Sequence, residues 1–202
     1  MGSAVYHDFV MFDIRNHDST PSAPGDLELV QRFMNLHEHD PDVDGDLPPS
    51  RELVESFLRE RGLLRQDERL TERDRETALR LHAALHAKVR TNLGEPMGDD
   101  EVALIDSLAR TAGLHPHFGH DGPSLAPSAK GVPGALGRLL AVVFLSDLDG
   151  SWLHLKECAG ETCHSVFYDR SKNHSGRWCS MSSCGNRAKV RAWRDRRRAD
   201  DD

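Results

Sequence analysis

Enzyme signatures, membrane-length apolar runs and scattered cysteines are all missing from this chain of 202 residues. No P-loop, G-x-G-x-x-G, G-x-S-x-G or H-E-x-x-H string occurs. Those absences speak against the common nucleotide enzymes and zinc hydrolases and leave catalysis without a supporting motif. The most apolar stretch, Val132 to Leu148, is broken by Arg138 and is shorter than the roughly 20 residues of a membrane span. Met1 to Val10 has no basic start followed by an apolar run, so no signal peptide is read there. The chain is therefore expected to be non-enzymatic, soluble and cytoplasmic, with no membrane partner.

Charge is unevenly placed. The net −7 would argue against nucleic acid, but the average hides an asymmetry. From Lys156 to Arg198 there are eleven Lys/Arg and four Asp/Glu, whereas residues 1–155 hold fifteen basic and twenty-six acidic side chains. An acidic body thus carries a basic end. Hydrophobic content is 38%, low but concentrated in periodic runs, so the chain is not read as disordered.

Cysteine is scarce, and all four lie between Cys158 and Cys184. They form two C-x4-C pairs, Cys158-Ala-Gly-Glu-Thr-Cys163 and Cys179-Ser-Met-Ser-Ser-Cys184. A disulfide framework belongs to small secreted domains, and this chain does not look secreted. Two short-range thiol pairs instead suit a tetrahedral Zn²⁺, with each pair closing one knuckle. Four protein ligands leave no open position for water, so the expected zinc is single and structural.

The run from Phe167 to Lys189 contains Trp178-Cys179-Ser180-Met181 and then Cys184-Gly185-Asn186-Arg187. It resembles the CGNR-type zinc finger, over roughly the last 45 residues. Proteins of that type are bacterial and carry upstream a mostly helical domain called ABATE, for which a stress-induced role in transcription regulation is predicted. The resemblance implies two parts: a helical ABATE-like sensor or regulatory domain over 1–149 and a zinc module over 150–202. ABATE domains open with a segment similar to Asp-Phe-Val-Asn-Thr; here Asp8-Phe9-Val10 keeps the first half and Met11-Phe12 replaces the second.

Periodicity gives the expected elements of a mainly α, α+β fold. Val5 to Ile14 is read as a short strand. Asp26 caps a helix running to about His37, with Leu27, Leu29, Val30, Phe33 and Met34 on its apolar face. Asp40-Pro-Asp-Val-Asp-Gly-Asp46 mimics the start of an EF-hand loop, but its twelfth position is Arg51, so it is read as an acidic linker. Ser50 caps a second helix that Gly62 stops, and a long helix spans about Thr71 to Leu93 with Ala78, Leu81, Leu85 and Val89 as its stripe. Asp99 or Asp100 caps a fourth, with Val102, Ile105, Leu108 and Ala112 inward. Asp121-Gly122 signals a two-stranded ribbon, on which His115, His117 and His120 are read as exposed loop histidines. Pro133 to Asp147 forms the most apolar helix, with Leu136, Leu139, Leu140, Val143 and Phe144 in the core and cover on most sides.

The module is expected to be treble-clef-like. Trp152–Leu155 and Val166–Tyr168 form a hairpin presenting Cys158 and Cys163. Cys179 follows a polar loop, and a terminal helix begins near Ser182. On that helix Arg187, Arg191, Arg194 and Arg198 recur at steps of four, three and four, while Val190 and Trp193 pack on the zinc core. Four thiolates leave the zinc at net −2, so one or two of Arg170, Lys172, Arg177 and Arg187 offset that charge or anchor loops. Lys189, Arg196 and Arg197 broaden the positive face, and Asn186 suits an adenine or backbone contact. The candidate nucleic-acid set is Lys172, Arg177, Asn186, Arg187, Lys189, Arg191, Arg194, Arg196, Arg197 and Arg198, with DNA or RNA as partner. The alternative is a zinc-stapled interaction module whose basic helix docks on an acidic partner or on the protein's own body. A small-molecule effector and a homodimer are the expected business of the helical part.

Overall fold

The computed structural model describes residues 20–39, 46–120 and 122–201. The strand expected over Val5–Ile14, the Asp8-Phe9-Val10 segment, most of the acidic linker and Asp121 lie outside the described residues.

Helix α1 (Leu27–Met34) buries Leu27, Val30, Phe33 and Met34. Asp26 stands at its N-cap but makes no side-chain hydrogen bond there. The helix ends at Met34, short of His37, and Asn35 turns its amide toward the zinc module instead. Two short strands, β1 (Glu38–His39) and β2 (Asp46–Leu47), pair antiparallel. In α2 (Arg51–Glu60) Ser50 caps as expected, its Oγ accepting from the Leu53 amide at 3.2 Å. Gly62, at φ 67°, adopts the left-handed conformation that follows a helix end.

Helix α3 (Glu72–Thr91) starts with a capping box: Thr71 Oγ1 accepts from the Asp74 amide, and the Asp74 carboxylate accepts from the Thr71 amide. Its stripe Ala78, Leu81, Leu85 and Val89 is fully buried. Helix α4 (Asp99–Ala112) is capped by Gly98 rather than by either aspartate. Only Ala112 of α4 is buried; Ile105 and Leu108 lean on the core and Val102 is half exposed. That follows from α4 lying as an outer layer against α3 and α5. Gly113 ends α4 at φ 62°. Strands β3 (Leu114–Gly119) and β4 (Gly122–Pro127) form the expected ribbon, with His115, His117 and His120 exposed on it.

Helix α5 (Gly131–Leu148) runs through the core and buries Leu136, Leu139, Leu140 and Val143. It is the one helix among the described residues long and apolar enough to cross a membrane, and 56% of it is buried inside the protein. The cover is less complete than its composition suggests. Phe144, expected in the core, is 52% exposed, and Leu145 and Leu148 are exposed beside it. Those residues lie on the face of α5 that α1, α3 and α4 leave open.

The expected strand over Trp152–Leu155 begins later. Ser151–His154 form a 3₁₀ turn that drops Trp152 into the core, and only Leu155–Glu157 make β5. It pairs antiparallel with β6 (Val166–Tyr168), with Leu155 opposite Tyr168 and Glu157 opposite Val166. Trp152, Leu155 and Val166 belong to the same apolar cluster as Phe33, Leu85 and Leu139. The hairpin that starts the zinc module is thus rooted in the body's core. Amide side chains complete the joint. Asn35 exchanges two hydrogen bonds with the Val166 backbone, at 2.8 and 2.7 Å. Gln31 donates to Val166 O, and Asn92 donates to Trp152 O and Leu155 O. The last helix, α6 (Asn186–Asp201), extends from the module.

Candidate zinc centre and basic helix

The β5–β6 hairpin projects Cys158 and Cys163 beyond the body. Gly160 sits between them, where a Cβ would lie 3.0 Å from Cys163 Cβ and 3.6 Å from the sulfurs of Cys158 and Cys184. Glycine is therefore the residue that lets the knuckle close under its sulfurs. A π-turn over Met181–Gly185 carries Cys184, so the last cysteine precedes α6 instead of lying in its first α turn. At Gly185 a Cβ would meet Met181 Sδ at 2.9 Å, which keeps that turn tight.

All four sulfurs lie within 4.8 Å of one another. Cys163 and Cys179 are 3.8 Å apart, and Cys179 and Cys184 are 3.7 Å apart. A tetrahedron with metal–sulfur bonds of about 2.3 Å has sulfur–sulfur edges of about 3.8 Å, so the spacing fits Zn²⁺. The thiols are also poorly served without a cation. Hydrogen bonds from Cys158 and Cys179 push Cys163 down, while bonds to Cys158 and Cys163 push Cys179 up. A divalent ion removes that competition by letting all four ionise. Two donors are aimed at the resulting charge: the Cys179 amide reaches Cys158 Sγ at 3.4 Å, and Arg187 Nη2 reaches Cys184 Sγ at 3.0 Å. Arg187 thus takes the charge-offsetting role, and its guanidinium is raised by the Cys184 thiolate.

The loop after β6 is held from below by a buried ion pair that the residue pattern did not announce. Lys156, on β5, donates to Asp169 Oδ2 at 2.7 Å and to the His174 carbonyl. Asp169 also accepts from the Ser171 and Gly176 amides at 3.0 and 2.8 Å. Burial would raise the Asp169 carboxyl, but these donors hold it well below the usual carboxylate range. The pair fixes the start and end of the polar loop that leads to Cys179.

The candidate nucleic-acid residues are all exposed, Arg187 included, yet they are not equivalent. Arg191 pairs with Glu161 of the first knuckle. Arg177 lies over the Trp178 ring at 5.3 Å, and Arg197 over Trp193 at 4.5 Å. Lys172, Asn186, Lys189, Arg194, Arg196 and Arg198 are exposed. Val190 and Trp193 do not pack on the zinc core; they are 40% and 49% exposed. The helix is turned so that Ala188, Arg191, Ala192 and Asp195 face the first knuckle. A cleft of about 220 Å³ lies between this face of α6 and the knuckle, and Trp193 stays off it, half exposed.

A second polar cluster lies where α3 meets the module. Glu157 accepts from His164 Nδ1 at 3.0 Å and Arg90 Nη1 at 3.2 Å, with His86 Nδ1 at 3.4 Å. Burial alone would raise the Glu157 carboxyl, but His86, His164 and Arg90 overturn that and lower it to about 2. His82 and His86, one helical turn apart on α3, both reach the Met34 carbonyl at 2.9 Å.

The family model for the ABATE domain, described as "Putative stress-induced transcription regulator", matches residues 27–149. The chain belongs to the ABATE family. The CGNR zinc finger matches residues 154–197, in the expected order. The CGNR finger and the four convergent thiols together establish a structural zinc site in this ABATE protein. Neither family is an enzyme family by its description. No curated protein matches the chain.

Proposed function

We propose that this ABATE protein regulates transcription by placing α6 on duplex DNA, with zinc fixing the direction of the helix. On this reading Cys158, Cys163, Cys179 and Cys184 hold the metal. Residues 1–149 form the sensing or dimerising part and residues 150–202 the DNA-binding part. The work is recognition rather than catalysis, carried out in the cytoplasm, where thiols stay reduced.

The supporting observation is the allocation of charge along α6. Arg187 and Arg191 have partners within the module, Cys184 and, in an exposed ion pair, Glu161. Lys189, Arg194, Arg196, Arg197 and Arg198 project outward from a helix whose base is stapled. Guanidinium groups repeated along a rigid helix suit phosphates spaced on a duplex and reach guanine edges in the major groove. Docking of the helix on the protein's own acidic body is less favoured, because among the described residues no ion pair joins α6 to the body.

The test is duplex binding by the zinc-loaded full chain across a salt series. A fragment is unsuitable because Trp152, Leu155 and Val166 take their packing from the body. The expected result is a steep fall in affinity with salt, the slope shrinking by about one unit for Arg194→Ala and again for Arg198→Ala. Tighter binding to single-stranded RNA would transfer the reading to RNA. Binding that is absent or indifferent to salt would sink it in favour of an acidic protein partner.

A further inference from the structure

Between α3 and the first knuckle lies an open pocket of about 430 Å³. Its lining joins both parts of the chain. Leu36, Leu47, Leu79 and Ala83 supply apolar walls from the body. Arg90 of α3 and Glu157 and His164 of the module close the polar end. A pocket of this size, mostly apolar with a few convergent polar groups, is the usual form of a small-molecule site.

The charges at the polar end decide which head group fits. Arg90 there is shared between Glu157 at 3.2 Å and Glu95 at 3.4 Å, and His86 Nδ1 stands on the same Glu157 oxygen as Arg90, at 3.4 Å. One guanidinium thus serves two carboxylates. His82 adds no charge at neutral pH, since burial lowers its imidazole to about 4. Among the described residues, Arg90 and His86 are already engaged with Glu157, so an anionic ligand would meet a carboxylate whose neighbouring cations are committed. A cationic ligand meets the reverse. Glu157 Oε1 is occupied only by His164, whose side chain is 64% exposed and can swing out of the mouth.

We propose that this cavity binds a small apolar amine, its ammonium group donating to Glu157 and its hydrocarbon body lying along Leu36, Leu79 and Ala83. An ammonium–carboxylate bond is charge-assisted and about twice as strong as the neutral equivalent. Glu157 directly precedes Cys158, and His164 directly follows Cys163. An amine seated there touches the residues flanking both cysteines of the first knuckle. The inference deepens the sensing role in the regulator reading and rests on it for biological meaning, but the site itself needs no nucleic acid.

Three soluble probes of one shape separate the head groups: 2-phenylethylamine, 3-phenylpropionate and 2-phenylethanol. Each is titrated calorimetrically into the zinc-loaded full chain without nucleic acid, so the result stands whether or not duplex binding is found. The amine is expected to bind one-to-one and at least tenfold tighter than the acid or the alcohol. Glu157→Gln is expected to reduce the amine to the level of the alcohol. Because Glu157 also bridges body and module, Ala83→Trp serves as a second variant; it fills the cavity from an exposed α3 position and should abolish amine binding. The proposal is overturned if the acid or alcohol matches the amine, if none of the three binds, or if Ala83→Trp leaves amine binding intact.

Discussion

The helical body hides Val30, Phe33, Leu58, Leu81, Leu85 and Leu139 almost completely from solvent. The module's own cluster holds Phe167 beside Cys158, Cys179 and Cys184, with Trp178 and Cys163 partly covered. In the body, stability comes from apolar area removed from water, at roughly 25 cal/mol per Å². The module has too little such area and relies on metal–thiolate bonds and the buried Lys156–Asp169 pair. The two regions also meet differently from most linked domains. The hairpin β5–β6 belongs to both, its inner side packed in the body and its tip carrying the first two cysteines. Zinc therefore stabilises a structure whose base is already anchored.

Removing the metal should separate these two sources of stability most sharply. Structural zinc contributes binding energy on the order of 10 kcal/mol directly to folding. Chelation, or Cys184→Ser, is expected to strip amide-exchange protection from residues 171–198 while α3 and α5 keep theirs. Residues 155–157 and 166–168 should retain intermediate protection, because Asn35, Gln31 and Asn92 hold them from the body side. Collapse of α3 and α5 together with the module would show that the body depends on zinc too, and the comparison would fail. Metal analysis that finds no zinc in protein prepared without chelator would undercut it earlier still.

The ion pair is the next point of difference. Both Lys156 and Asp169 side chains are almost wholly buried. Lys156→Met removes one partner and leaves a buried carboxylate without its cation, held only by Ser171 and the Gly176 amide. Breaking a pair of this kind costs about 3–5 kcal/mol. The loss should appear as an earlier urea midpoint for the module, followed through Trp178, with the body's helical signal unchanged. An unshifted midpoint would mean that the metal alone carries the module.

The degree to which the chain announced these features follows the same division. The helices of the body were legible because their apolar residues repeat at three- and four-residue steps, and because Ser50 is a cap residue in a cap position. The zinc ligands were legible because C-x4-C pairing is local. Orientation was not. Val190 and Trp193 are the large apolar residues of α6, yet it is Ala188 and Ala192 that line the cleft facing the knuckle. Phe144 has the right period for a core residue but lies where no neighbouring helix among the described residues covers it. The Glu157 cluster joins residues 67 and 71 positions apart in sequence. Its one local trace was the i, i+4 spacing of His82 and His86. The pairing of Lys156 with Asp169 likewise needs the β5–β6 register, which no single segment encodes.

His82 offers the smallest and most selective perturbation, one that acts on the body. Its ring lies beside His86 and Phe33, and it bonds the Met34 carbonyl. Burial, then the neighbouring charge of His86, lowers its imidazole from 6.5 to about 4, despite the opposing pull of the Met34 carbonyl. The unfolded chain therefore takes up a proton that the folded chain refuses. Stability from this group is fully present above about pH 6.5 and is lost progressively as the pH falls toward 4. At 1.36 kcal/mol per pKa unit the loss is at most about 3 kcal/mol. Acid also releases zinc by protonating thiolates, so the raw pH profile mixes both regions. Comparison with His82→Gln, which keeps a donor for Met34 but does not titrate, cancels the zinc contribution. The wild-type melting temperature is expected to fall faster than the variant's between pH 6.5 and 4, with parallel curves above pH 7. Parallel curves throughout would place the acid sensitivity in the module alone, since the body's buried imidazole would then carry none of it.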